Sequence, residues 1–179
     1  IIKNRMRATI ELAIGGWAFA ILLGIPTGVL AAVKRGTFWD YIARGVAIIG
    51  QGAPPFVIGL LLIVIFAVWL QDTPFELPAA GRPPQFNIKT YILPCIALGW
   101  PAAAGLMRLT RSAMLEVLDS EFVKLARAKG VGWNKVIYKH ALKNALITPL
   151  TSSLLLCSGW LNGALVIEII LGLPGIGYD

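Results

Sequence analysis

The chain has 179 residues, of which 57% are hydrophobic and 14% charged, and its 16 Lys and Arg against 9 Asp and Glu give a formal charge of +7. Soluble domains carry about 25% charged residues, so this composition excludes an ordinary globular protein in water. The basic residues lie between long apolar runs, which favours loops beside anionic lipid or an acidic partner over a nucleic-acid-binding face. Cys95 and Cys157 fall inside apolar stretches and predict neither a disulfide framework nor a metal site.

Four stretches with almost no charged residues are long enough to cross a bilayer. A hydrocarbon core about 30 Å thick needs about 20 apolar helical residues, and we predict spans at about residues 9–33, 45–71, 90–110 and 145–168. Because backbone amides in lipid must bond within their own segment, each span is predicted to be a helix. The predicted fold class is all-α, a polytopic helical membrane protein in which residues 1–179 form a single, partial transmembrane domain.

The positions of Lys and Arg predict how these spans are oriented. Loop 108–143 holds eight basic residues and loop 34–44 holds three, whereas loop 72–89 holds two. Loops 34–44 and 108–143 are therefore expected to be cytoplasmic, and loop 72–89 is expected to be external. Three basic residues precede the first span and oppose this orientation, but we expect the longest basic loop to dominate; they are Lys3, Arg5 and Arg7.

Two features of the spans are candidates for the transport pathway or its gate. Pro54 and Pro55 interrupt the second span, where packing and a kink are favoured over a direct role in gating. Glu168 lies at the end of the last span, and acids within membranes are functional candidates by default. Its place near the outer boundary equally allows simple solvation. No catalytic or metal-binding residue is predicted, and the single histidine, His140, is expected to be packed and hydrogen-bonded.

Loop 108–143 is predicted to form two short helices around a glycine turn. Asp119 or Ser120 can cap the first helix, with Glu121 in its first turn. Gly130 is predicted to end this helix in a left-handed conformation. The helical period places four residues on one face of the first helix: Phe122, Leu125, Ala126 and Lys129.

The second helix of the loop is predicted to begin at Trp133 and to be amphipathic. Its apolar face comprises Trp133, Val136, Ile137, His140, Ala141 and Asn144. A separate basic stripe comprises Lys135, Lys139 and Lys143. The period alone leaves two interpretations equally open, which are docking of a cytoplasmic partner and a basic loop lying on lipid headgroups.

The loop sequence resembles a known family. Residues 121–130, Glu-Phe-Val-Lys-Leu-Ala-Arg-Ala-Lys-Gly, and 140–146, His-Ala-Leu-Lys-Asn-Ala-Leu, are similar to the EAA loop of binding-protein-dependent ABC importer permeases. The similarity is closest to the dipeptide, oligopeptide and nickel branch, although Lys124 and Leu125 stand where the general motif has Glu and Ala. Weaker similarities follow in the family's order at residues 9–13, 28–32, 55–61, 77–81, 166–168 and 173–177.

Segment 77–81, Leu-Pro-Ala-Ala-Gly, resembles an external motif of the first, B-type permease of the pair. Members of the family usually carry one membrane helix before this region and another after it. Because the sequence also lacks a starting Met and stops soon after an apolar segment, we expect it to be a fragment.

The resemblance implies a type I ABC importer transmembrane domain in a bacterial or archaeal cytoplasmic membrane. It implies three kinds of protein partner besides membrane lipid: a second homologous permease, two cytoplasmic ATPase subunits and an extracellular solute-binding protein. Peptides are the expected solute, with nickel and other small solutes open. The residues implied to couple to the ATPase are Glu121, Leu125, Ala126, Arg127, Ala128, Lys129 and Gly130.

The 179 residues contain no G-x-x-x-x-G-K-[ST] phosphate-binding loop. We therefore expect ATP and magnesium to bind the partner ATPase subunits, with no cofactor and no enzymatic activity in this chain. The main alternative is an ion-coupled secondary transporter or channel-like protein, which would place ionisable residues at midmembrane, where the predicted spans have none. A membrane enzyme lacks a convergent set of polar residues, and a structural anchor leaves the two-helix loop unexplained.

Overall fold

A computed structural model describes residues 2–71, 73, 74, 77, 88–173 and 175–178. Eight α-helices occur in this part of the chain: α1 (Ile2–Val33), α2 (Phe38–Gly52), α3 (Pro55–Ile63), α4 (Ile88–Leu118), α5 (Glu121–Ala128), α6 (Trp133–Lys135), α7 (Leu142–Ala145) and α8 (Ile147–Leu171). A π-helical segment continues α3, a second joins α6 to α7, and a 3-10 turn follows α8: Val64–Trp69, Val136–Ala141 and Ile176–Tyr178. The described residues include no strand, and the predicted all-α class is confirmed. The external motif at 77–81 lies almost entirely outside the described residues.

Within the described part of the chain, two helices are long and apolar enough to cross a membrane, at Arg5–Val33 and Lys89–Leu118. The bent pair Phe38–Gly52 and Pro55–Trp69 makes a third crossing if its two parts form one span. Helix α8 has 25 residues, of which the side chains of the apolar stretch Ile147–Leu156 are described without interruption. A fourth span at 145–168 stays a prediction.

The kink favoured at Pro54 and Pro55 is a bend of 104° between α2 and α3, so residues 45–71 do not form one continuous helix. Ala53 and Pro54 both have extended ψ angles, of 126° and 144°. Each of them precedes a proline, whose ring disfavours the helical conformation of the residue before it. Proline is well tolerated at the first position of a helix, which is where Pro55 begins α3. The consecutive prolines therefore separate two helices.

The predicted boundary at residue 108 between the third span and its loop also needs correction. Helix α4 has 31 residues in all and ends at Leu118, so Arg108 and Arg111 are helical. At 1.5 Å per residue α4 is about 46 Å long, which exceeds a hydrocarbon core of about 30 Å. The helix can thus leave the bilayer without ending, and the non-helical linker begins at Asp119. Similarly, α2 begins at Phe38, inside the loop predicted at 34–44.

Helices α1 and α4 form the centre of the fold and run in the same direction. A Cβ atom added at Gly24 would lie 2.6 Å from the Ala103 carbonyl oxygen, and one added at Gly28 would lie 2.6 Å from the Met107 carbonyl oxygen. Glycines four residues apart share one face of a helix and allow backbones to approach closely. The two helices therefore meet backbone to backbone toward their C-terminal ends, where the loop begins.

Replacing Gly24 by leucine is expected to destabilise the protein by at least about 1–3 kcal/mol, because a larger side chain must force α1 away from the α4 backbone. The thermal midpoint of the purified permease in detergent measures this loss. Gly45→Leu is the matched control, since nothing lies within 4 Å of a Cβ at that position. Equal shifts of the midpoint in both variants would contradict the close contact.

Candidate coupling site

The first loop helix, α5, begins after Ser120, which is its N-cap residue as predicted. The Ser120 hydroxyl does not cap the helix, however, and donates instead to the Val117 carbonyl oxygen in the last turn of α4. Glu121 occupies the first turn, and its carboxylate lies 2.7 Å from the Lys124 ammonium. Only Ser120 and Asp119 thus separate the end of α4 from the start of α5.

The end of α5 is fixed by Gly130, whose φ of +78° confirms the predicted left-handed conformation. The Gly130 amide donates to the Arg127 carbonyl at 2.9 Å, and the Val131 amide donates to the Ala126 carbonyl at 3.2 Å. These two hydrogen bonds form a Schellman motif, which satisfies carbonyls that a helix end leaves unpaired. A residue with a side chain would be strained at this position.

The apolar residues of α5 divide into one that is buried and two that are exposed. Val123 is 1% exposed and holds α5 against the rest of the protein. Phe122 and Leu125 are 44% and 58% exposed. The face predicted from the helical period therefore points away from the protein and presents large apolar side chains that the described residues do not cover.

The second helix of the loop is built from α6, the π-helical segment and α7, instead of one regular helix. Its buried side packs on the C-terminal ends of α1 and α4, where the contacting core residues are Val29, Ala32, Met114, Ile137, Ala141 and Ala145. Val136 is also buried. The predicted apolar face is thus largely correct, although Trp133 and Asn144 are exposed and Ala145 was not included. This segment connects the loop firmly to two helices of the membrane domain.

Trp133 joins the two parts of the loop instead of entering the core. The Arg127 guanidinium carbon lies 5.0 Å from the centre of the Trp133 ring, a cation–π arrangement. His140 is half-buried, and its carbonyl oxygen accepts a hydrogen bond from the Asn144 side chain at 3.1 Å. The exposed surface around this contact is basic, since six side chains of residues 119–143 are exposed cations: Lys124, Arg127, Lys129, Lys135, Lys139 and Lys143.

We use the name coupling unit for residues 119–145. Its exposed surface combines the apolar residues Phe122 and Leu125 with the surrounding cations. Asp119 and Glu121 are its only carboxylates. Apolar contact area and a positive field together suit a protein partner with an acidic, partly apolar cleft.

Glu168 is completely buried, so the predicted alternative of simple solvation is wrong. One carboxylate oxygen accepts a hydrogen bond from the Gly177 amide at 2.9 Å, and its side chain lies directly against Gly175. The next amide, that of Ile176, donates to the Thr9 hydroxyl oxygen at 3.2 Å. Glu168 thus fixes the turn after α8, and Thr9 joins that turn to the first part of α1, at the end of the fold opposite the coupling unit.

A second buried carboxylate, that of Asp40, was not predicted from the sequence, and it forms an ion pair with Arg111. Arg111 was counted only as one of the basic residues of the loop. Both residues flank apolar runs, and a charge buried beside a membrane span needs an oppositely charged partner. That requirement was a usable signal, but it does not show which of the sixteen cations pairs with Asp40.

Together these features define an integral membrane protein whose long helices carry a packed two-helix unit at one end. The model of a family described as "Binding-protein-dependent transport system inner membrane component" matches residues 24–179. The chain belongs to this family and is accordingly a component of the inner membrane. The family predicted from the loop sequence is confirmed.

Several curated proteins are similar to the chain. Oligopeptide transport system permease protein OppB of Salmonella typhimurium is 41% identical over 170 residues, covering 93% of the chain and 53% of that protein. OppB of Escherichia coli K12 is 39% identical over 180 residues, covering 99% and 56%. Dipeptide transport system permease protein DppB of Alkalihalophilus pseudofirmus is 40% identical over 196 residues, covering 96% and 58%. The chain therefore spans about half the length of these relatives.

Proposed function

We propose that the chain is part of the transmembrane permease subunit of an ATP-driven importer that carries peptides across the cytoplasmic membrane. The family and the names of the relatives support transport of oligopeptides or dipeptides. The observation that carries the proposal is the coupling unit, which exposes Phe122 and Leu125 while its other side is buried on α1 and α4. Such a unit can both contact a cytoplasmic protein and move membrane helices.

The proposed assembly contains a second homologous permease, two cytoplasmic ATPase subunits and an extracellular solute-binding protein. ATP and magnesium bind the ATPase subunits, and this chain performs no catalysis. The proposed orientation places the coupling unit and loop 34–44 in the cytoplasm and loop 72–89 outside. The orientation is consistent with α1 and α4 running in the same direction, because both then end on the cytoplasmic side.

In the proposed mechanism, α5 lies in a cleft of an ATPase subunit. Leu125 supplies apolar contact, and Arg127 and Lys129 pair with acidic side chains of the cleft. The small residues Ala126, Ala128 and Gly130 allow close approach, and Glu121 pairs with Lys124 at the start of the helix. Closure of the ATPase subunits displaces the coupling unit, and its buried contacts pass that displacement to α1 and α4. The spans then alternate between inward-open and outward-open arrangements.

An ion-coupled transporter without an ATPase is the alternative, and a reconstituted system separates the two. The full-length permease is assembled with the partner permease, the ATPase subunits and the binding protein in proteoliposomes, and uptake of labelled peptides is measured. Uptake that requires ATP on the same side of the membrane as the ATPase subunits supports the proposal. Uptake that follows an ion gradient without ATP would replace it with the alternative.

Substitution of Gly130 by valine is expected to reduce peptide uptake per ATP by about tenfold, because a β-branched residue strains the left-handed turn and misplaces α5. Gly130→Asn is the matched control, since asparagine adopts this conformation more readily. Open space surrounds the position, so steric overlap does not distinguish the two variants. Equal uptake per ATP in valine variant and wild type would contradict the role given to this turn.

A further inference from the structure

The carboxylate of Asp40 is almost fully enclosed by hydrogen-bond donors. One oxygen accepts from Arg111 Nε at 2.7 Å, and the other accepts from Arg111 Nη2 at 2.9 Å and from the Gly36 amide at 3.0 Å. Arg44 Nε lies a further 3.4 Å from the first oxygen. The Asp40 side chain is 1% exposed and that of Arg111 is 18% exposed. A two-pronged contact of this kind fixes both distance and direction between the groups that it joins.

The ion pair connects α2, which leads to the bend at Pro54 and Pro55, with α4, which leads to the coupling unit. Asp40 lies in the first turn of α2, and α2 leads to the 104° bend before Pro55. Arg111 lies in the last third of α4, which ends at Leu118 and is separated from α5 by two residues. The Asp40–Arg111 pair is therefore a direct polar connection between the helix that carries the coupling unit and the bent span.

Apolar packing between α2 and α4 is incomplete beside this pair. Small or flexible side chains, Ala47, Ala104 and Met107, form the contact. A cavity of about 340 Å³ adjoins them, and its lining includes Trp39 and Trp100. Farther along α2 the packing is close, since a Cβ atom added at Gly50 would lie 2.6 Å from Trp100 Nε1. Beside the cavity fewer interlocking side chains hold α2 against α4, and there the ion pair is the polar contact that fixes the start of α2.

We infer that the Asp40–Arg111 pair is the positioning contact through which displacement of α4 and α5 moves α2 and, beyond it, the bend at Pro54 and Pro55. This inference rests on the proposed function. The pair keeps the start of α2 fixed to α4, so that a displacement of the coupling unit rotates α2 about this fixed end. Neither residue contacts solute or ATP in this role.

The test uses the full-length permease assembled with its partner subunits in proteoliposomes, and it compares peptides imported per ATP hydrolysed. The variant Asp40→Leu with Arg111→Met removes both charges together, because an apolar pair of similar volume can replace a buried ion pair without loss of stability. We expect this complex to assemble and hydrolyse ATP but to import about tenfold fewer peptides per ATP. Arg111→Lys keeps the charge but loses the bidentate geometry. Its number of peptides imported per ATP is expected to lie between the values of the wild type and of the double variant.

The matched control is the exposed ion pair of Arg35 and Asp119, at the same end of the fold. Arg35 Nη1 lies 3.9 Å from Asp119 Oδ2, and the two side chains are 63% and 77% exposed. Arg35→Gln, which removes this pair from outside the coupling unit, is expected to change the ratio by less than about twofold, because exposed ion pairs contribute little. An assembled double variant with the wild-type ratio would overturn the inference. If the double variant does not assemble, the Arg111→Lys variant provides the test. A wild-type number of peptides imported per ATP in that variant overturns the inference, and a lower number supports it. Absence of ATP-driven uptake in the wild-type complex would instead refute the proposed function.

Discussion

Replacing Leu125 by aspartate is expected to abolish stable association of the permease with its ATPase subunit and to lower ATP-driven uptake at least about thirtyfold. Leu125 is 58% exposed on α5, so the substitution leaves the permease core intact. Burial of a leucine side chain in a partner stabilises a complex by about 1.5–3 kcal/mol, and burial of an unpaired carboxylate adds a further cost. Co-purification of the two subunits and uptake into proteoliposomes measure the two effects.

Val123→Asp is the contrasting control for that experiment, because Val123 is the buried residue of the same helix. An unpaired carboxylate at this position should unfold the coupling unit and lower the thermal midpoint of the permease itself. Leu125→Asp should leave that midpoint within about 2 °C of wild type, as substitutions at exposed positions usually do. A Leu125 variant that co-purifies normally would contradict the proposed docking surface.

Replacing both Pro54 and Pro55 by alanine is expected to reduce peptide uptake at least about tenfold while leaving membrane insertion unchanged. A proline inside a helix costs about 3 kcal/mol, so the wild-type sequence strongly disfavours a straight α2–α3 helix. The alanine variant removes this cost and allows one continuous helix in place of the 104° bend. Distance measurements between spin labels on α2 and α3 should show the straightening.

Pro26→Ala is the matched control, because α1 continues through Pro26 without a break. Its uptake should stay within about threefold of wild type, since surrounding groups in a membrane protein re-satisfy the carbonyl that an interior proline leaves free. Full uptake in the double alanine variant would show that the bend has no part in transport and that these prolines serve packing alone.

Periodicity and special residues predicted the local structure of the coupling unit well. The positive φ of Gly130 and the N-cap position of Ser120 follow from backbone preferences of single residues, which do not depend on the rest of the fold. The same reasoning identified the face that carries Phe122 and Leu125. It could not show whether that face is buried or exposed, because the answer depends on where α4 ends and how α5 turns away from it.

The predictions that failed depend on contacts between distant residues. Sequence patterns predicted one span over 45–71 with a kink at its proline pair, but they could not give the angle of 104°, because α2 and α3 also pack on α4, and α3 packs on α8. They also ended the third span at residue 110, although α4 continues past Arg111, whose side chain pairs with Asp40. Glu168 was ambiguous for the same reason, because its hydrogen bond to the Gly177 amide forms only when the turn after α8 folds back.

The coupling unit is most directly tested with a photo-crosslinking amino acid in place of Phe122, in the full-length permease expressed with its neighbouring transport subunits. Phe122 is 44% exposed on the same surface of α5 as Leu125. We expect a covalent adduct between the permease and a cytoplasmic ATPase subunit, and no such adduct from a crosslinker at Ile14, which is exposed on α1 within the membrane domain. A crosslink from Phe122 to lipid alone, or to a protein on the external side, would contradict the account.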